Sequence, residues 1–101
     1  MDVAAKIERL MTLLQVSDVD PENAVVLLYK VLNQSEVSIP RELVVSWDYF
    51  GLVAVMRRIK GGFRPGSFTY QFLSAFLENL PENPDLEVRG LVLDIFDSLS
   101  D

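Results

Sequence analysis

Carboxylates could in principle supply an acid–base pair or a metal site in this chain, whose 101 residues include 15 Asp and Glu but no His and no Cys. Missing histidine removes the commonest general base and the commonest metal ligand. Missing cysteine removes disulfides and thiolate chemistry. It suits an intracellular compartment without choosing between nucleus and cytoplasm. Asp94 and Asp97 stand three apart on a predicted helix and share a face. In di-metal bundles such pairs are completed by histidine, so a solvated surface is the expectation here. Asp18 and Asp20 begin like a calcium loop, but Pro21-Glu22-Asn23-Ala24 supplies neither the required glycine nor the late glutamate.

Gly61-Gly62-Phe63-Arg64-Pro65-Gly66 is glycine-rich with basic neighbours. It lacks the spacing and the Lys-Ser/Thr ending of a phosphate-binding loop, and no strand precedes it. It reads as a helix stop followed by a tight turn, with glycines that permit left-handed backbone. The serines have no adjacent base and no Ser-x-x-Lys context. The expectation is a non-enzyme with no catalytic residue, no cofactor and no bound metal.

The informative residues are those that make a surface. Arg57, Arg58, Lys60 and Arg64 fall within eight residues with no acid among them, whereas seven acids and one base, Arg89, follow from Glu78 onward. That layout predicts a basic corner and an acidic tail. A net charge of −6 argues against direct nucleic-acid binding, which depends on neutralising phosphates. No apolar run reaches the eighteen or so residues that span a bilayer, and Met1-Asp2-Val3 lacks the basic start of a signal peptide. Eight of the ten aromatic residues lie between Trp47 and Phe76. Those at helical spacing are expected in the core. Phe63, in the glycine loop beside Arg64, reads either as a binding anchor with a charged rim or as a ring folded back under its own loop.

Helix signals recur along the whole chain and position these residues. Asp2 can cap a helix over residues 3–15, with Val3, Ile7, Leu10 and Leu14 as its stripe. Asp20-Pro21-Glu22 is the clearest start: a capping carboxylate, a proline at the first helical position and an acid at the positive end. That helix buries Ala24, Leu27, Leu28, Val31 and Leu32 and ends at residues 33–35. A short helix over 40–46 follows Ser38-Ile39-Pro40. Asp48 can cap a fourth helix to Lys60, with Phe50, Val53, Met56 and Ile59 inward; the third and fourth read equally as one bent helix. Ser67 caps a fifth over 68–79 with Phe68, Phe72 and Phe76 on one face, and Asp85 caps a last helix with Leu86 or Val88, then Leu91, Val92, Ile95 and Leu99 inward. The expected fold is all-α: one domain over 1–101, folded as a compact irregular bundle of five or six helices.

The succession Leu14-Gln15-Val16-Ser17-Asp18-Val19-Asp20, then Leu32 to Ile39, then Glu42-Leu43-Val44-Val45-Ser46, then Val55-Met56-Arg57-Arg58-Ile59-Lys60 resembles the TFIIS N-terminal-type helical domain, and within it the LEDGF-type integrase-binding domain. The resemblance runs from about Ile7 to Leu80. It implies a compact bundle of transcription-related complexes that holds short disordered peptides between two interhelical loops, here residues 16–20 and 60–66. It implies partner-facing roles for Val16, Val19 and Phe63. Ser17 stands where the LEDGF-type domain carries a partner-binding aspartate, and the final helix lies beyond the matched part, so the partner implied is a different one.

Two functions follow as expectations. The first is a protein–protein interaction adaptor that binds a short peptide. Val16, Val19 and Phe63 would supply apolar contact, and Arg57, Arg58, Lys60 and Arg64 would attract acidic partner residues. The second is an acidic inhibitor of bacterial or phage type, whose final helix mimics nucleic acid and covers a basic target surface. A homodimer through an aromatic face is compatible with either.

Overall fold

In the computed structural model, which describes residues 2–16 and 19–100, the chain folds into six helices: α1 (Val3–Leu13), α2 (Pro21–Asn33), α3 (Arg41–Val45), α4 (Tyr49–Lys60), α5 (Phe68–Asn79) and α6 (Leu86–Leu99). Ser17 and Asp18, and with them the middle of the 16–20 loop and half of the calcium-loop comparison, lie outside the described residues. No strand occurs among the described residues, and none of these helices is long and apolar enough to cross a membrane.

Four helix starts follow from side-chain caps. Asp2, Asp48, Ser67 and Asp85 each accept a hydrogen bond from the backbone N–H three residues on, at Ala5, Gly51, Tyr70 and Val88. The Asp48 cap also explains a glycine: a Cβ on Gly51 would stand 2.8 Å from Asp48 Oδ2. Asp20 occupies the cap position of α2, but its side chain makes no capping bond. Proline at the first helical position and Glu22 in the first turn mark that start instead. The expected cost of Asp20→Ala therefore falls from the ~1 kcal/mol of a working cap to about 0.5 kcal/mol or less, its charge near the helix end being all that is lost. Urea denaturation of this variant beside Asp85→Ala, whose cap bond is formed, checks the difference.

Two helix ends are more unusual. α1 ends in a Schellman motif: Val16 N–H bonds to Met11 C=O at 2.9 Å, Gln15 N–H bonds to Thr12 C=O, and Gln15 sits in the left-handed region at φ 57°. α3 ends the same way, with Asp48 N–H on Leu43 C=O, Trp47 N–H on Val44 C=O and Trp47 at φ 51°. α3 and α4 are therefore two helices joined at a left-handed corner. The corner residue is a buried tryptophan whose Nε1–H donates to Pro81 C=O at 3.2 Å. By contrast, no glycine has positive φ. Gly61 and Gly62, expected to stop α4 through left-handed backbone, do so by bonding Gly61 N–H to Arg57 C=O and Gly62 N–H to Ile59 C=O in a tightened last turn.

The buried apolar residues form one cluster fed by all six helices. α1 packs against α2 and α6, α6 also meets α2 and α3, and α5 lies against α4 and α2. Two expected core positions, Phe50 and Phe68, lie on the surface instead, as does Leu86, one of the two alternatives on α6. Phe50 is 72% exposed, Phe68 82% and Leu86 82%. The α4 error is one of period. Phe50, Val53, Met56 and Ile59 are three apart, and three residues advance a helix by 300°, so each step slips by 60°. The true stripe is Leu52, Val55, Met56 and Ile59, and Phe50 lies on the opposite side. On α5 the stripe Thr69, Phe72, Leu73 and Phe76 is complete without Phe68. On α6 Val88, not Leu86, takes the buried place.

Candidate functional site

The exposure of Phe68 has a consequence, because it is not isolated. Phe68, Gln71, Phe72 and Ala75 form one wall of a groove of about 510 Å³, and Val19, Asp20, Asn23, Val26 and Leu27 form the other. The groove lies between the start of α2 and the start of α5. Its floor is apolar, with Phe72 buried and Leu27 half-buried. Its lips carry Phe68 and Val26, the latter 62% exposed. Its polar groups are few: the uncapping carboxylate of Asp20 and two side-chain amides, Asn23 and Gln71. That is the usual make-up of a ligand site, mostly apolar with a small number of placed polar groups and a volume in the range of ~300–1,000 Å³.

Of the residues expected to face a partner, Val19 alone lines this groove. Val16 does not reach it. As the residue that closes the α1 Schellman motif it is buried, as is Met11 below it, so its side chain is not available on the loop surface. Phe63 is half-buried and packed against the core. The loop aromatic is thus partly folded back, and Phe68, five residues on, is the ring left out. A helical wheel holds the signal for Phe68, since a stripe already complete through Thr69 leaves the first residue of α5 over.

The basic residues belong to the end of α4 and the loop that follows it. Arg57, Arg58 and Lys60 occupy the last turn of α4, where the helix dipole favours cations. Lys60 Nζ sits 5.1 Å from the centre of the Tyr70 ring. Arg64 C=O accepts from both the N–H and the hydroxyl of Ser67, so the cationic segment runs directly into the cap of α5 and the groove lip at Phe68. Arg57, Arg58 and Arg64 are exposed and form no ion pair with any described residue.

The acidic helix is different. Glu87 pairs with Arg9 of α1 at 2.9 Å, Asp94 with Lys6 of α1 at 3.4 Å, and Asp97 with Arg41 of α3 at 3.0 Å. Hydrogen bonds from Arg41 hold the Asp97 carboxyl below the usual carboxylate range. These pairs are exposed and contribute little to stability. Their importance here is that the carboxylates already have partners. No group of three or more carboxylates able to hold a metal ion occurs among the described residues. The chain matches no protein-family model, no curated protein and no solved structure.

Proposed function

We propose that this chain is a non-enzymatic protein–protein interaction module that takes a short peptide segment of a partner into the groove between α2 and α5. The observation that carries this reading is Phe68, a first-turn phenylalanine 82% exposed at the lip of an apolar groove. Exposed aromatics beside a pocket are typical binding anchors. The cationic segment from Arg57 to Arg64 leads along the chain into the α5 cap at Ser67, next to Phe68, and selects for acidic residues flanking the apolar ones. The resemblance of residues 7–80 to the TFIIS N-terminal-type helical domain also favours peptide capture near the 16–20 loop, in transcription-related complexes. The acidic-inhibitor reading lacks comparable support. The carboxylates it would use are held within the chain, Asp85 by its cap bond and Glu87, Asp94 and Asp97 by cations of α1 and α3.

The test is selection of binders from a random peptide display library, followed by NMR titration of the labelled protein with a selected peptide. Enrichment of bulky apolar residues flanked by acids is expected, with shifts at Val19, Asn23, Leu27 and Gln71. Reversing Arg57, Arg58 and Lys60 to glutamate should slow association by about tenfold or more at low salt, the deficit shrinking as salt rises. Shifts centred on α6, with association unaffected by that reversal, would overturn the reading.

A further inference from the structure

A second, smaller space opens at the surface and runs into the bundle. It has a volume of about 70 Å³ and sits where side chains from all six helices converge, Leu10 of α1, Val44 of α3, Met56 of α4 and Leu73 of α5 among them. Every lining side chain is apolar except for one atom, Trp47 Nε1, and that N–H is already bonded to Pro81 C=O. Water entering the space finds no free side-chain partner, so it is poorly held there. A space without a close-fitting occupant also forfeits the dispersion contacts its walls would otherwise make. Leu28, Leu32, Ile39, Val92 and Phe96 in the lining are only half-buried. The space therefore reaches the surface between α2 and α6, and none of its lining residues lines the groove that Phe68 borders.

We propose that this apolar pocket is a binding site for a compact apolar molecule without hydrogen-bonding groups, of the size of a xenon atom or a hydrocarbon of few carbons. Size sets that class: apolar voids of about 150 Å³ take up benzene or xenon, and this one has roughly half that volume. Such an occupant restores wall contacts without displacing an ordered water or leaving a polar atom unpaired. Because it binds only the folded chain, it also raises stability in proportion to its concentration over its dissociation constant. This site does not depend on the peptide groove.

Xenon is the direct probe, and Trp47 is the only tryptophan, so its indole N–H gives one resonance at the wall of the void. Methyl and indole NMR spectra recorded under increasing xenon pressure should show saturable shifts at Trp47, Val31, Val44 and Val92. The exposed methyls of Val26 and Val45 should move little. Val44→Ile and Val92→Leu, made separately to fill the space, should each weaken xenon affinity by about tenfold, since little volume is left. Linear shifts equal in size at Val26 and at the lining methyls, no shift at all, or an unchanged response in both folded filling variants would overturn the proposal. The unsubstituted protein decides alone if a filling variant does not fold.

Discussion

Phe68→Ala is expected to weaken binding of a library-selected peptide by about 30-fold while leaving the melting temperature within a degree or two of the parent. Truncating an anchor residue costs about 2 kcal/mol or more of binding free energy, and ~1.4 kcal/mol is a factor of ten. Folding loses little, because a side chain 82% exposed contributes almost no buried area, and substitutions at such positions usually fall within about 0.5 kcal/mol. Phe72→Ala is the contrasting variant. Phe72 is 3% exposed and stacks on Phe76 with ring centres 6.3 Å apart, so its loss should cost about 3–5 kcal/mol of stability. A variant that binds poorly and folds well separates recognition from structure. If Phe68→Ala binds as tightly as the parent while Val26 or Leu27 variants do not, the anchor lies on the α2 wall and the role given to Phe68 fails.

The same two phenylalanines show how far the sequence could be read. Order and type of the helices were legible because their signals are local: Asp2, Asp48, Ser67 and Asp85 cap the helices that they precede. The core side of each helix was legible only where spacing kept to 3.6 residues. Phe50 stands on a three-residue period that drifts off the core side and Phe68 stands four residues before Phe72, whereas burial goes to the residues at the correct angle, including the polar Thr69. Residue type also hid the two left-handed positions, since neither Gln15 nor Trp47 signals positive φ as glycine would. Contacts distant in sequence were not legible at all. The acids of α6 read as a free tail, but Arg9 and Glu87 are 78 residues apart and meet through the packing of α1 on α6. The groove is of the same kind, since its walls come from opposite sides of α3 and α4 in the chain.

Trp47→Ala is expected to destabilise the domain by about 3–5 kcal/mol, the range for removing a buried tryptophan. For a chain of this size, with a total of roughly 5–15 kcal/mol, that brings the folded state close to its limit. Trp47 is 7% exposed, lines the central void and donates to Pro81 C=O. Its loss enlarges an existing space and breaks the tie between the α3–α4 corner and the segment leading into α6. Its backbone makes the result diagnostic. At φ 51° any residue with a Cβ carries about 1–2 kcal/mol of left-handed strain, which tryptophan offsets through its burial and alanine cannot. Trp47→Gly should therefore be more stable than Trp47→Ala by about 1 kcal/mol, the reverse of the usual ranking at helical positions. Urea denaturation of both variants measures this directly. Alanine more stable than glycine would mean that residue 47 is not held in the left-handed region. The two helices would then meet at a different angle.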